Sequence, residues 1–313
     1  MTQTTISQPI ECTGVGLHSG KTVRLGLRPA PENTGIIFHV KTVHGLREIA
    51  PRPDIVTDTG LATTLGTGDA RVSTVEHLLA AIRGLGIDNI HIDAEGGEIP
   101  IMDGSAAPFV LFLGKAGITR QNAPRKVLRI KKPISFSRDG KSIEAFPHNG
   151  FSVEYSIKFP HRLIGSQKMR LELTPRSFAD VSRARTFGFL HEVEYLHSKG
   201  LALGGSLDNA IVLDECSILN KEGLRFADEF VRHKVLDFIG DMAMLNRPLH
   251  GRFVVSCSGH ALNNEFLRTI TANAHTYLET ITLADPIQDA RRPSIIPAPT
   301  GRKPAPQPMP SIA

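Results

Sequence analysis

The hydrophobic and polar positions in the first part of the chain predict a strand-rich region that contains one helix. Residues 74–85 space their apolar side chains as a helix that buries one face. A polar stretch at residues 121–126, which contains Pro124, interrupts this pattern and predicts a domain boundary. The strand-like runs before the boundary are residues 22–28, 35–40 and 89–93.

The second part of the chain combines further strands with longer helices. Two helical patterns, at residues 226–246 and 264–278, are separated by Pro248 and by an apolar run at residues 253–256. The strand-like runs that precede these helices are residues 127–130, 142–146 and 151–157.

The mixture of elements in both parts predicts the fold class and the domain limits. We expect an α+β fold with an N-terminal domain at residues 1–122 and a C-terminal domain at residues 125–283. A length of 313 residues suits two domains. Eight prolines among residues 286–313 leave no apolar periodicity, so we expect a disordered tail at residues 284–313.

Composition and charge exclude several functional classes. Hydrophobic residues make up 41% and charged residues 21% of the chain, as in ordinary water-soluble proteins. Residues 1–10 are polar and the longest apolar stretch, residues 109–113, is short, so we expect a cytoplasmic protein without stable membrane insertion. The net charge of +5 comes without a Lys/Arg run, which argues against a nucleic-acid partner. Three cysteines without CxxC spacing indicate neither disulfides nor a thiolate zinc site.

The sequence FVRHKVLDFIGD at residues 230–241 sets ionisable residues beside an apolar stripe on a predicted helix. At about 100° per residue, Asp237 lies about 40°, Asp241 about 80° and Lys234 about 100° from His233. His233 and Asp237 are one turn apart and can reach one metal ion, whereas Asp241 must have another role. A lone H-x-x-x-D spacing usually marks a solvated helix face. The crowding of Lys234 and two acids favours a metal site.

Two other segments carry complementary chemistry. Glu76 and His77 lie side by side at the start of the first predicted helix, although Glu76 also fits a capping box with Ser73. His260 lies in a glycine-containing turn before the last predicted helix, where an ordinary surface histidine is the alternative. Together the three segments supply three N/O ligands, a carboxylate base and an imidazole acid, which a catalytic zinc site requires.

Six motifs occur in order between about residue 13 and residue 278. On these motifs the chain resembles the UDP-3-O-acyl-N-acetylglucosamine deacetylase (LpxC) family. The resemblance implies two similar domains, each a β-sheet layered against two helices, with the active site at the domain interface and a small insert in each domain. The motifs are VEH at 75–77, EIPxMDGS at 98–105, SRARTF at 182–187, LGGS at 203–206, HKxLDxxGD at 233–241 and SGHALN at 258–263.

The resemblance also implies an activity. Members of this family hydrolyse the N-acetyl group of UDP-3-O-(3-hydroxyacyl)-N-acetylglucosamine and release acetate, which is the committed step of lipid A biosynthesis in Gram-negative bacteria. The implied cofactor is one Zn²⁺ per chain, and the same N/O ligands also accept Fe²⁺. The implied partner is a UDP-sugar lipid substrate, and we expect a monomer.

Residue by residue, the resemblance assigns three kinds of role. The implied metal ligands are His77, His233 and Asp237. The implied catalytic residues are Glu76 as general base, His260 as general acid, Asp241 as the residue that orients it, and Thr186 as the donor to the oxyanion. The implied substrate-binding residues are Lys234 beside the metal, and Phe187 and Phe159 at the sugar and uracil.

The resemblance also concerns an insert in the second domain and two positions at which this sequence differs from the family. The resemblance implies that about residues 192–214, with side chains such as Leu203 and Ile211, form an apolar passage for the acyl chain. The sequence departs from the family at Cys257, where relatives have a basic residue near the phosphates, and at Lys158, where they have an acid. One contact to the diphosphate is therefore in question.

Two other functions fit part of the pattern. A zinc peptidase also needs a metal, a glutamate base and a histidine acid, but the adjacent pair Glu76 and His77 is not an HExxH motif. A basic nucleic-acid-binding protein with a structural metal ion is the second alternative, and a salt-dependent interaction with RNA would distinguish it.

Overall fold

A computed structural model describes residues 1–284, and strands and helices are mixed along this part of the chain in an α+β fold. None of the described helices has the length and apolar character needed to cross a lipid bilayer. Up to residue 124 the elements are β1 (Thr2–Ile6), β2 (Ile10–Val15), β3 (Thr22–Pro29), β4 (Ile36–Thr42), β5 (Gly45–Ile49), β6 (Val56–Asp58), β7 (Thr64–Thr67), β8 (Ala70–Val72), α1 (Glu76–Gly84), β9 (Ile90–Glu95), α2 (Ala107–Ala116) and β10 (Ile118–Pro124).

The elements after residue 124 include the longest helix and the central strand of a second sheet. They are β11 (Lys126–Ile130), β12 (Ile134–Arg138), β13 (Lys141–Phe146), β14 (Phe151–Lys158), β15 (Ser166–Glu172), α3 (Pro175–Ser182), β16 (Phe187–Phe189), α4 (Leu190–Ser198), β17 (Ile211–Leu213), α5 (Glu229–Met242), β18 (Leu249–Ser256), α6 (His260–Ala272), α7 (Ala274–Tyr277) and β19 (Leu278–Thr282).

Each part of the chain builds its own main sheet. The first sheet has the order β2-β3-β9-β4-β5, in which β4 and β9 are parallel and the other neighbours antiparallel. In the second sheet, β18 pairs antiparallel with β13 and parallel with β14 and β11. Side chains of β18 alternate between buried and half-buried, so one face of this strand packs into the core.

Helices α1 and α5 approach each other closely beside Glu76, one of the predicted site residues. A Cβ atom at Gly240 of α5 would lie 2.1 Å from the carbonyl oxygen of Glu76 in α1. Only the hydrogen side chain of glycine permits this distance between the two backbones. The start of α1, with its buried Glu76 and His77, therefore lies directly against the C-terminal half of α5.

The polar stretch at residues 121–126, where the sequence predicts a domain boundary, consists almost entirely of strand. Strand β10 continues through Pro124 and pairs with β1, and only Arg125 separates it from β11. Pairing with a strand more than 100 residues away supplies the hydrogen bonds that the local sequence does not indicate. The division of the chain at residues 122–125 into two domains stays a prediction. From residue 285 onward, the predicted tail lies outside the described residues.

Both long helical patterns have different ends in the structure. The pattern at residues 226–246 forms α5 followed by a 3₁₀ turn at Ala243–Leu245. The pattern at residues 264–278 forms α6 and α7, which are separated at Asn273. Helix α6 begins earlier than predicted, because Gly259 is its N-cap and His260 its first residue. His260 therefore lies on a helix and not in a turn.

Candidate metal centre

Two imidazoles and one carboxylate meet between α1 and α5, and we refer to His77, His233 and Asp237 as the triad. One ligand atom from each of these buried residues lies within 4.8 Å of the other two. The Nε2 atoms of His77 and His233 lie 3.5 Å and 3.3 Å from Oδ1 of Asp237. The structure thus brings together the three residues that the sequence selected.

The donor atoms of the triad fit a divalent cation. Oδ1 of Asp237 is buried and has no hydrogen-bond partner among residues 1–284. Nδ1 of His233 donates to the carbonyl oxygen of Ala184 at 3.1 Å, which leaves the lone pair of Nε2 free to bind a metal ion. Burial lowers the pKa of His233 to about 3, so its ring is neutral, as ligation requires. A buried carboxylate oxygen without a donor is costly unless a cation satisfies it.

Lys234 adjoins the triad from α5. Its Nζ donates to Oδ2 of Asp237 at 2.9 Å and lies 5.5 Å from the centre of the Phe187 ring. Burial lowers the pKa of Lys234, but Asp237, with smaller contributions from Asp241 and Glu76, more than offsets burial, and the pKa is raised. Burial also opposes ionisation of Asp237, yet His233 and Lys234 hold its pKa well below the usual range. Lys234 therefore carries a positive charge at the edge of the site.

Glu76 is buried beside the triad, and it lines a cleft that the three triad residues also line. Its Oε2 accepts a hydrogen bond from the backbone N–H of Thr63 at 3.0 Å. The capping box with Ser73 is therefore contradicted, since Val75 is the N-cap of α1 and makes no side-chain cap bond. Burial raises the pKa of Glu76. A carboxylate with a raised pKa is suited to accept a proton near neutral pH.

His260 and Asp241 form an ion pair that also contributes to the site. Nδ1 of His260 lies 2.8 Å from Oδ2 of Asp241, and Nδ2 of Asn263 donates to the same oxygen at 2.7 Å. Burial lowers the pKa of His260, but the charge and hydrogen bond of Asp241, together with the charges of Glu76 and Asp237, outweigh burial and raise it to about 10. His260 lines the cleft with Glu76. The cleft therefore contains a base and a protonated acid on separate helices.

We expect the imidazole of His260 to titrate with a pKa near 10 in the metal-free protein. Because this folded-state pKa lies above the usual 6.5, the stabilisation from the pair is complete below pH 6.5 and is lost as the pH rises through about 10. Asp241→Asn should lower this pKa, because it removes the largest charge that opposes burial while only Glu76 and Asp237 still raise the pKa. NMR titration of the ring nitrogens measures this, with Asp208→Asn as the control. A wild-type pKa near 6.5 would contradict the ion pair.

Thr63 links the base to the acid pair, and sequence reasoning did not identify it. Its backbone N–H binds Glu76, and its Oγ1 donates to Oδ1 of Asp241 at 2.7 Å. Thr63 is buried in the segment between β6 and β7, where no spacing in the sequence points to α1 or α5. Asn263 was also missed, although its position one turn after His260 places the two side chains on one face of α6.

The cleft beside the triad has a volume of about 370 Å³ and includes Thr186 and Phe187 in its wall. Hydrogen bonds from Thr186 N–H to the Gly104 carbonyl and from Ile211 N–H to the Thr186 carbonyl, both 2.8 Å, fix this backbone. The ring of Phe187 meets that of Phe159 edge to face at a centroid distance of 5.5 Å. Phe159 is not among the residues that line the cleft, and its ring packs against Phe187.

The predicted insert contacts the first part of the chain near the cleft. Leu203 is 51% exposed and its N–H donates to the carbonyl of His18, while the N–H of Gly204 donates to the carbonyl of Leu17, which lines the cleft. Ile211 is fully buried in the hydrophobic core, so its side chain is not available to a passage. The passage itself stays a prediction.

A buried ion pair orients the segment that holds His233. Nε of Arg185 lies 2.9 Å from Oε1 of Glu229, and the backbone N–H of Arg185 donates to the same oxygen at 3.0 Å. Both side chains are almost completely buried. Because Ala184 precedes Arg185, this pair positions the carbonyl group that accepts from His233. The SRARTF motif therefore supports the triad through its backbone.

The α+β fold brings into one cleft three buried N/O donor atoms that could hold a metal ion, a buried carboxylate and an imidazole, which is the arrangement found in mononuclear metal hydrolases. The family model described as LpxC, UDP-3-O-acyl N-acetylglycosamine deacetylase, matches residues 3–272. The chain belongs to this family.

Curated relatives agree with the family model. The UDP-3-O-acyl-N-acetylglucosamine deacetylase of Nitratidesulfovibrio vulgaris is 63% identical over 298 residues, which cover 95% of this chain and 96% of the relative. The protein of the same name from Oleidesulfovibrio alaskensis is 63% identical over 302 residues, covering 96% and 98%. That of Lawsonia intracellularis is 52% identical over 270 residues, covering 86% and 89%. The resemblance drawn from the six motifs is confirmed.

Proposed function

We propose that this protein is a zinc-dependent deacetylase. It hydrolyses the N-acetyl group of UDP-3-O-(3-hydroxyacyl)-N-acetylglucosamine, releases acetate and commits the sugar to lipid A biosynthesis. The observation that carries the proposal is the unpartnered, buried Oδ1 of Asp237 within the triad, in a cleft that also contains Glu76 and His260. The names of the relatives support the substrate.

Glu76 acts as the general base. When bound by the triad, zinc supplies Lewis acidity, which polarises the acetyl carbonyl and makes water more acidic. Glu76 accepts a proton from the attacking water, and its raised pKa suits this role near neutral pH. The N–H of Thr63 holds Oε2 of Glu76, so the carboxylate keeps its orientation while it gains the proton.

His260 acts as the general acid. It donates a proton to the amide nitrogen as the C–N bond breaks, so the nitrogen leaves as an amine. The pKa of about 10 keeps His260 protonated before this step, and Asp241 orients its ring through Nδ1. The oxygen from water remains in acetate. One proton taken by Glu76 balances one proton given by His260.

Thr186, Lys234 and Phe187 complete the site. The hydroxyl of Thr186 donates to the oxygen that becomes negative in the tetrahedral intermediate, a role worth about 3 kcal/mol in comparable sites. The ammonium group of Lys234 attracts the anionic substrate, and the ring of Phe187 offers an apolar face to the sugar. Phe159 contributes by packing against Phe187.

Several properties of the protein follow from this proposal. The proposed substrate is an anionic UDP-sugar lipid, and we infer that the protein meets it in the cytoplasm. We also infer that the protein has no nucleic-acid partner and no membrane span. We infer one metal ion per monomer. Zinc is the proposed ion, and the two imidazoles and one carboxylate also accept Fe²⁺ when it is more available.

The proposal is tested by assaying acetate release and metal content in the same sample of full-length protein. We expect mass spectrometry to detect acetate and amine from UDP-3-O-acyl-N-acetylglucosamine, with loss of activity on chelation and recovery with about one equivalent of zinc. UDP-N-acetylglucosamine, which lacks the acyl chain, is the control substrate and should react more slowly. Peptide cleavage or salt-dependent RNA binding without acetate release would contradict the proposal and favour an alternative.

We expect Thr63→Val to lower kcat about tenfold because Asp241 loses one of its hydrogen-bond donors. The backbone N–H that holds Glu76 is retained, so the effect isolates the link to the acid pair. Steady-state kinetics measure the change. Thr63→Ser should restore most of the rate, and Thr64→Val serves as the matched control. Turnover at the wild-type rate in Thr63→Val would show that this hydrogen bond is dispensable.

A further inference from the structure

A second cavity of about 290 Å³ lies where the C-terminal ends of α1 and α5 approach the starts of β14 and β18. It shares no lining residue with the cleft. Four of its lining residues are basic and come from three separate stretches of the chain. We call it the basic cavity and define it by Arg83, Arg125, Arg247 and His250.

Acidic groups compensate little of this charge. Asp88 pairs with Arg125 through an Nε–Oδ1 distance of 2.9 Å, and its other oxygen accepts from the backbone N–H of Thr4. No acidic residue lines the basic cavity. Arg247 is exposed and has no hydrogen bond or ion pair with any residue between 1 and 284. The cavity wall therefore carries an excess of positive charge.

Two of the lining residues have buried nitrogen atoms without partners. Nε and Nη2 of Arg83 and Nδ1 of His250 have no hydrogen bond within the described part of the chain. Leaving a guanidinium unsatisfied in the interior is costly, so such atoms point to a ligand or an ordered water. The triad contains the converse case, because Oδ1 of Asp237 is a buried acceptor without a hydrogen-bond partner at a place where a cation fits. Unsatisfied donors beside a cavity indicate an anion.

Helix capping accounts for part of this cluster only. Nη1 of Arg83 donates to the carbonyl of Ile87 at 3.3 Å, and Nη2 of Arg125 donates to that of Gly86 at 3.0 Å. These bonds satisfy carbonyl groups after α1. They use one nitrogen of Arg83 and leave the other two without partners, and they do not involve Arg247 or His250. Capping therefore does not explain why four basic residues converge.

The titration behaviour agrees with a positive environment. Burial lowers the pKa of Arg83 to about 10, and Arg125 contributes to the shift although Asp88 opposes it. Burial also lowers the pKa of His250, with contributions from Arg125 and other neighbouring basic groups. A bound anion would raise both pKa values by favouring the charged forms.

The charges, the volume and the apolar side chains of the basic cavity together limit the class of ligand that can bind there. Guanidinium groups form paired hydrogen bonds with phosphate and carboxylate oxygens, and several of them favour the higher charge of phosphate. A volume of about 290 Å³ lies at the lower end of ligand pockets, so the ligand is small. The larger apolar side chains that line the remaining wall are Leu85, Phe151, Leu173, Ile239, Met242 and Leu249.

We propose that the basic cavity binds a small phosphorylated molecule, with its phosphate on the arginines and its apolar part on the remaining wall. This site is separate from the deacetylase site, and its existence does not depend on the proposed activity. Its occupant would stabilise the contact between the ends of α1 and α5, which carry the catalytic residues at their other turns.

Isothermal titration calorimetry of the zinc-loaded full chain with inorganic phosphate and with n-butyl phosphate, at constant ionic strength, tests this proposal. We expect saturable binding of one molecule per chain. Butyl phosphate should bind at least about fivefold more tightly than phosphate, because its methylene groups contact the apolar wall. Absence of saturable binding to either compound would overturn the proposal.

Variants locate the binding site. Arg247→Gln should weaken the binding of both compounds about tenfold, since one charge-assisted contact is lost. Arg47→Gln, on exposed β5, removes the same charge elsewhere and should leave the dissociation constants unchanged. Arg83→Gln should weaken binding at least as much; if it does not fold, as judged by circular dichroism, Arg247→Gln decides alone. Equal affinity in Arg247→Gln and wild type would place the phosphate elsewhere, including the cleft, and overturn the assignment.

Discussion

The variant Glu76→Gln is expected to have a kcat at least about 100-fold below that of the wild type while it retains its metal. An amide cannot accept the proton that Glu76 takes from water, so the base is lost. Its carbonyl oxygen can still accept from the N–H of Thr63, and the triad is unchanged. A low kcat together with a wild-type metal content is therefore the result that identifies Glu76 as the base. Steady-state kinetics and elemental analysis of the same preparation measure it.

The exposed variant Glu95→Gln controls for the loss of a carboxylate on the same part of the chain. It should have the kcat and metal content of the wild type. Two results would contradict the assignment of Glu76 as general base. One is wild-type turnover in Glu76→Gln. The other is loss of the metal together with activity, which would make Glu76 a ligand.

The second large effect is expected for Gly240→Ala, which adds a Cβ atom where α5 touches α1. That atom would lie 2.1 Å from the carbonyl oxygen of Glu76, so the helices must move apart. Overpacking of this kind costs about 1–3 kcal/mol of unfolding free energy. A displacement of about 1 Å between Glu76 and the triad is enough to lower kcat about 100-fold. Denaturant unfolding and steady-state kinetics measure the two effects.

Gly114→Ala in α2 is the matched control, because a Cβ atom there has no neighbouring atom within 4 Å. It should stabilise the protein by up to about 1 kcal/mol, since alanine favours helix more than glycine does. Its kcat should equal that of the wild type. If Gly240→Ala behaves like Gly114→Ala, the close approach of the two helices is not required for activity.

Periodic patterns predicted the parts of the fold that depend on local sequence. The strands β3, β4, β9 and β14 and the helices α1 and α5 lie within a few residues of their predicted positions. Strand β10 was not predicted, because its hydrogen bonds come from β1, more than 100 residues earlier in the chain. Helix α3 was also missed, although Thr174 and Ser177 form a capping box that the sequence contains.

The candidate site was predictable where chemistry and spacing coincide. His233 and Asp237 lie one turn apart on α5, and this spacing, together with the crowding of Lys234 and a second acid beside it, indicated a shared metal ion. Thr63 could not be predicted, because a threonine in an irregular segment has no pattern and its role comes from contacts 13 and 178 residues away. Arg185 was quoted only as part of a motif, since its partner Glu229 lies 44 residues further along. Long-range hydrogen bonds are therefore what the sequence did not reveal.

The position of the triad across α1 and α5 also has a consequence for the lifetime of the protein. A metal ion bound by His77 on one helix and by His233 and Asp237 on the other would act as a cross-link between segments far apart in the chain. Free metal at about 100 times its dissociation constant would add about 2.7 kcal/mol to the folded state. Zinc starvation should therefore expose the chain to proteolysis as well as stop turnover, so enzyme abundance would follow metal supply.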